Sequence, residues 1–321
     1  MTPRTPRRRQ QGVAVITALL LTTLAVTIVA SLFWQQQVQV RSMENQRLHL
    51  QIQWILRGTL DWTKLILQQD GRDNSQYTSL QHVWAVPVAN TRIDQYIDRE
   101  RVQGEVFDAS LSGQIVDANS RFNLTNLAKD GKPVLKSVEA FKKLLTQLRL
   151  DPSLATTAAQ FVGAGQVLAV EPPSDGVPAV AATPVKQMRT IELEDLLDIP
   201  GFTVETLEKL RKYVVVLPER TSVNVNTASA EVISALIPNF SLAEAQTLVT
   251  QRDRSPWNVK GNFDRDVGQE RAAGAELDIK STYFLVQSWL KLDRASLNTE
   301  ALIRREVTGQ YETTVVWVHQ N

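Results

Sequence analysis

The sequence predicts an α+β fold: one long N-terminal helix packed on an antiparallel β-sheet, with a large, mostly helical domain interrupting that sheet. Three observations lead there. A charge-free run from Val13 to Val40 follows a basic tail. Strand-like runs occur both before residue 127 and after residue 281. Between them, residues 133–257 carry apolar side chains at helical spacing. The expected parts are a helix over 13–67 (membrane-spanning over 13–34), a first β part over 68–127, a helical insertion over 128–270 and closing strands over 271–321.

The helix comes first. Arg4, Arg7, Arg8 and Arg9 precede Gly12 with no acidic residue among them, and Val13 to Trp34 is almost wholly apolar. Such a run meets the roughly 20 residues that a helix needs to cross a ~30 Å hydrocarbon core. The arginines before it place the N-terminus in the cytoplasm and the body, from Gln35 onward, across the membrane. A plain signal anchor and a cleaved secretory signal ending near Ala30 are the simplest readings of such a run. The helical pattern continues past the membrane, because Leu48, Ile52, Ile55, Thr59, Trp62 and Ile66 recur every three or four residues. No Pro interrupts the stretch, and its first Gly is Gly58; Asp70-Gly71-Arg72-Asp73-Asn74-Ser75 supplies the stop.

Residues 104–111 and 113–118 read as a β-hairpin turning near Gly113. The segment Asp117 to Leu127 is rich in Asn and Asp, which cap helices and close Asx turns, so a strand-to-helix transition is expected there. Helices follow over Ser137–Leu150 and from Asp151-Pro152-Ser153; Gly163 to Pro184 reads as a loop. Ile191–Val214 and Ala228–Arg252 share one rhythm, in which two helices flank a Pro-containing turn, at Pro200 and at Pro238. Asn226-Thr227 is the expected N-terminal cap of the second pair. Three strand-like runs, Ser281–Leu292, Leu297–Val307 and Tyr311–His319, close the chain as a meander.

Composition excludes several function classes. With 35 basic against 34 acidic side chains, nothing draws the chain electrostatically to nucleic acid. The absence of cysteine removes disulfides, thiolate metal sites and thiol nucleophiles. His49, His82 and His319 lack zinc spacing, and neither a serine elbow nor a phosphate-binding loop occurs. The reading is not an enzyme.

The paired helices resemble a helix-hairpin-helix or SAM-like repeat, and Asn224-Val225-Asn226-Thr227-Ala228-Ser229 before the second pair is similar to membrane-anchored, competence-type DNA-binding proteins. Such hairpins need two glycines for close backbone approach to phosphate. The first turn has only Gly201, and the second has Asn239 instead. Ile191–Tyr213 also carries Glu192, Glu194, Asp195, Asp198, Glu205 and Glu208 against Lys209, Arg211 and Lys212, a balance that repels a duplex.

A second resemblance covers nearly the whole chain. The order of parts, a basic leader (1–12), then Gly12, then an apolar run from Val13, resembles the leader of type IV pilins and type II secretion pseudopilins. Asp117 to Leu127, with Arg121-Phe122-Asn123-Leu124-Thr125-Asn126-Leu127, is similar to a segment of the general secretion pathway protein K family. The resemblance implies a pilin-like helix and sheet, with cleavage after Gly12 and methylation of Val13 by prepilin peptidase. It implies a minor pseudopilin at the tip of a filament in the inner membrane and periplasm, beside I-, J- and H-type minor pseudopilins and the major pseudopilin, with the exoprotein as a further contact. The fifth mature position, usually Glu in pilins, is Thr17 here, as suits a subunit with no neighbour above it. No cofactor is required; family members bind calcium through loop oxygens, for which Asp70, Asp73, Asp117 and Asn119 are the candidates. A type IV pilus minor pilin shares the leader and stands as the alternative within this resemblance.

Overall fold

The computed structural model describes residues 11–92, 109–166 and 192–320. The leader arginines, residues 104–108 of the expected hairpin and most of the 163–184 loop lie outside them. Helix α1 runs unbroken over Gln11–Asp73, 63 residues and therefore about 95 Å. Its side chains from Val13 to Trp34 are exposed and, among the described residues, pack on no other element. Thr17, Thr22, Thr23 and Thr27 donate their hydroxyls to carbonyls three or four residues back, so this half holds its polar groups within the helix.

The second half docks on the sheet. Ile52, Leu56, Leu60 and Leu67 are buried against Leu111, Val286, Leu290 and Ile303. The expected stripe was shifted slightly: Trp62 is 48% exposed at its margin, while Leu56, Leu60, Thr63 and Leu67 are buried. The helix also continues through Gly71. A Cβ there would lie 2.8 Å from the ring of Tyr311, so the glycine serves a close approach and not a stop.

Strands β1 (Val88–Arg92) and β2 (Ala109–Asp117) precede the helical domain, and β9 (Tyr283–Leu292), β10 (Ala295–Arg305) and β11 (Thr313–Gln320) follow it. They form one antiparallel sheet in the order β1-β2-β9-β10-β11. The closing meander is as expected; the hairpin at Gly113 is not, because Gly113 lies within β2, opposite Val88 of β1 and Ser288 of β9. A lone glycine between two apolar runs reads as a turn in sequence, yet here two partner strands hold it extended.

The helical domain enters between β2 and β9, which are neighbours in the sheet. It contains two-residue strands β3 (Phe122–Asn123), β4 (Ala128–Lys129), β5 (Lys132–Pro133), β6 (Val214–Val215), β7 (Val223–Asn224) and β8 (Leu277–Asp278). Its helices are α2 (Leu135–Gln147), α3 (Leu154–Ala164), α4 (Val204–Leu210), α5 (Ala230–Leu236), α6 (Leu242–Arg254), α7 (Lys260–Val267) and α8 (Gln269–Ala272). Its core gathers Phe141, Leu144, Ile233 and Phe263 together with Phe122, Leu124 and Leu127, and with Leu277 and Ile279. The insertion thus recruits residues on both sides of 128–270, because the segments that lead in and out supply apolar side chains to its core. Asp151 accepts from the Ser153 N–H, and α3 starts only at Leu154, two residues later than Pro152 suggested.

Leu67, fully buried where α1 crosses the sheet, should cost about 2–5 kcal/mol on truncation to Ala. Trp54→Ala, on the exposed side of the same helix, should change stability by only about 0.5 kcal/mol. Thermal unfolding of the full chain in lipid nanodiscs, followed by near-ultraviolet circular dichroism, measures both.

Candidate functional site

Two features carry the functional reading: the N-terminal half of α1, and the junction that fixes the helical domain to the far end of the sheet. In the first, Val13 and Thr17 lie on one exposed helical turn, and the Thr17 hydroxyl is 3.0 Å from both the Val13 and Ala14 carbonyl oxygens. Position 17 therefore has no dangling polar group and no charge to neutralise.

The junction is built around Asp117, the last residue of β2, with 1% of its surface exposed. Its Oδ1 accepts from the Asn119 N–H at 2.8 Å. Its Oδ2 accepts from Ser281 Oγ at 2.5 Å, Thr227 Oγ1 at 2.5 Å and Asn224 Nδ2 at 3.1 Å. Burial pushes this carboxyl up, and the four donors offset that push without cancelling it. Asn224 also donates to the Thr78 carbonyl, and the Thr78 hydroxyl accepts from Arg305 Nη2 at 3.0 Å. Arg305 then donates through Nη1 to Asp70 Oδ2 at 2.7 Å, near the end of α1, while its guanidinium lies 4.7 Å from the Phe284 ring centre. His82 Nδ1 sits 2.9 Å from Asp70 Oδ1. Burial opposes charge on Asp70, but the contacts from His82 and Arg305 outweigh it and hold the carboxyl below its usual value. One connected polar network thus joins α1, the loop after it, β2, β10 and the helical domain.

The two motifs from the sequence interlock beside it. Asn119 donates to the Ser222 carbonyl and accepts from the N–H groups of Thr282 and Tyr283. Asn123 accepts from the Leu217 N–H and donates to the Glu219 carbonyl; Asn126 exchanges both amide bonds with the backbone of Thr221. Arg220 pairs with Glu276 across the same clasp. Asn226 is not the expected cap. It exchanges two 2.9 Å bonds with the backbone of Trp257, and Ser229 caps α5.

These placements decide the calcium candidates. Asp70 already faces a guanidinium, both oxygens of Asp117 and Oδ1 of Asn119 are taken by protein donors, and Asp73 is exposed, accepting from Gln69. The four do not share one cage of free oxygens and do not fit a calcium ion. Among the described residues, no cluster of three or more His, Asp or Glu side chains is arranged for a metal.

The paired-helix rhythm is real but its helix starts are acidic. Thr203 caps α4, with Glu205 in the first turn, and Ser241 and Glu244 form a capping box on α6. Lys143, from α2, donates to the Ser234, Ile237 and Phe240 carbonyls and so occupies the second turn. A phosphate approaching either helix start would meet a carboxylate. Sequence reasoning missed Thr78, Ser281 and Arg305, read Thr227 as a helix cap and gave His82 no role; only the network assigns them one.

Comparison with known proteins is consistent along the chain. Models of one family, type II secretion system protein K, match residues 120–219 and 223–287. The type II secretion system protein K of Pseudomonas aeruginosa is 26% identical over 93% of this chain and 90% of its own length. That of Pectobacterium carotovorum is 26% identical over 95% and 94%. Among solved structures, the GspK-GspI-GspJ complex of enterotoxigenic Escherichia coli contains a chain that matches with a TM-score of 0.59 at 16% identity, covering 87% of this chain and 99% of that one.

The two buried aspartates should respond oppositely to pH. Asp70, whose pKa is depressed on folding, contributes stability above pH ~4 that is lost as pH falls through its folded value. Asp70→Asn should cost about 3–5 kcal/mol at neutral pH by leaving Arg305 buried without its anion. That deficit should shrink in acid. Asp117, raised on folding, contributes stability at low pH that declines as pH rises above ~4 through its folded value. Asp117→Asn should still cost about 1–3 kcal/mol, because an amide turns a donor toward other donors. Thermal unfolding of the full chain and of both variants between pH 3 and pH 8 measures these expectations.

Proposed function

Because the chain belongs to the type II secretion system protein K family, a component of type II secretion with an N-terminal membrane anchor, we propose that it is the minor pseudopilin that caps the pseudopilus tip. The observation that carries this reading is where the helical domain joins. The Asp117–Arg305–Asp70 network fixes it at the end of the sheet that holds the C-terminus of α1, away from the apolar half. Bulk at that end obstructs a further subunit above while leaving α1 free to bundle below.

Processing follows from the order of parts. Prepilin peptidase would cut after Gly12 on the cytoplasmic face and methylate Val13, leaving the body in the periplasm. The exposed apolar side of α1, including Leu50, Trp54 and Leu65, would then pack on the helices of I- and J-type minor pseudopilins, above the H-type and major subunits. In pilin-like bundles a Glu at position five neutralises the amine of the next subunit, and an unpaired charge there is costly. Thr17, satisfied by its own helix, suits a subunit with no such amine to meet. Growth of the filament beneath this cap would push the folded exoprotein through the outer-membrane secretin.

Mass spectrometry of chain made with and without prepilin peptidase tests the class. Loss of residues 1–12 and an N-methylated Val13, only with the peptidase, is the expected result. An intact N-terminus, or a cut near Ala30, would overturn it. Immunogold labelling of assembled filaments tests the cap: label should sit at one end only, and Thr17→Glu should be tolerated or spread label into the shaft. Label along the shaft with the unmodified chain would rule the cap out.

A further inference from the structure

The sheet has two faces, and α1 packs on one of them. On the other, the row Val116, Leu285, Leu302 and Trp317 lies beneath the helical domain. The rows further from that domain are polar and, among the described residues, half-buried to exposed. Ser112, Trp289 and Asn298 stand opposite one another on β2, β9 and β10, so their side chains share one face. Trp289 is 45% exposed at the centre of that row. The adjacent row is a hydrogen-bonded ladder: Gln114 Nε2 donates to Gln287 Oε1 at 2.6 Å, and Gln287 Nε2 donates to Glu300 Oε1 at 3.1 Å. Nearly half of the indole therefore faces outward among hydroxyls and fixed amides.

We propose that this open half-face is a platform for a neutral glycan, with a pyranose ring stacked on Trp289 and its hydroxyls bonded to the Gln114–Gln287–Glu300 ladder and to Asn298. The chemistry of the six side chains selects the ligand. An indole face is flat and electron-rich, and it attracts the polarised C–H groups on one side of a sugar ring. Amides and hydroxyls donate and accept alike, as a polyhydroxyl ligand requires. Glu300, the one charged member of the six, is already the terminal acceptor of the ladder, and exposed Lys291, two residues along β9 on the same face, adds a donor suited to a hydroxyl. The ladder fixes its side chains before binding, which lowers the ordering cost. An apolar peptide would bury only the indole and strand the amides against carbon. The source to which we commit is the glycan strand of the cell wall, the neutral polysaccharide within reach of a membrane-anchored periplasmic body. That choice of source rests on the proposed topology; the platform itself does not.

The test uses the full chain in lipid nanodiscs, with no sugar-based detergent. Chitotetraose is titrated against tryptophan fluorescence, and co-sedimentation with purified cell-wall sacculi is measured in parallel. Saturable binding in both, weakened about tenfold or more by Trp289→Ala and unchanged by Trp54→Ala, is the expected result. Gln287→Ala should weaken binding while leaving the unfolding temperature close to that of the parent. Absence of binding by the parent chain, or equal binding by Trp289→Ala, overturns the proposal. Binding of chitotetraose but not of sacculi overturns the wall as the source. If Trp289→Ala instead releases a partner pseudopilin and leaves sugar binding untouched, the face is a protein interface and the proposal fails; the pseudopilin assignment stands in every case.

Discussion

The fold depends on burying one carboxylate. A domain placed between two adjacent strands, β2 and β9, has its entry and exit side by side, and both must be fixed or the sheet splits there. Asp117 ends β2 and cannot reach water, so each of its oxygens needs protein donors. Ser281 comes from the segment leading into β9, and Asn224 and Thr227 from within the helical domain. Satisfying one side chain therefore ties entry, exit and insertion together. The network extends through Thr78 and Arg305 to Asp70, so the end of α1 is set by the same constraint. Buried polar groups of this kind give little net stability, but they penalise every other arrangement.

The asymmetry of α1 follows from its surroundings. Its lower half carries apolar side chains on all sides, which suits lipid, and its threonines return their hydroxyls to the backbone. Its upper half carries them mainly toward the sheet, where Ile52, Leu56, Leu60 and Leu67 fill the core. With no Pro, and only Gly58 between Val13 and the last turn, no breaker separates the two halves. The two halves therefore form one continuous rod.

The helical domain shows how one local pattern serves different ends. The repeated helix, turn and helix survive as α4 with its preceding 3-10 turn and as α5 with α6. In a nucleic-acid-binding hairpin the turn would present bare N–H groups. Here the helix starts carry Glu205 and Glu244, and the second turn presents its carbonyls to Lys143. The scaffold is kept and its surface chemistry is reversed.

Sequence alone determined what rests on composition and period. The charge-free run to Val40 and the three- and four-residue spacing beyond it establish one anchor helix. The β-prone closing runs establish the meander, and the helical stretch between strand-like runs establishes an interrupted sheet. These are properties of neighbouring residues, and water and lipid act on them locally. Tertiary structure decided the rest. Gly113 reads as a turn until two strands pair across it, and Gly71 as a stop until Tyr311 packs on it. Asp70 and Asp117 have free carboxylate oxygens in sequence and none to spare once Arg305, Ser281 and Thr227 arrive. The asparagines from 119 to 126 announce capping chemistry but not the partner, since an amide bonds equally to a backbone two residues or a hundred residues away. Spacing encodes the faces of helices and strands; which distant group fills a buried polar site is encoded only by the packing that brings it there.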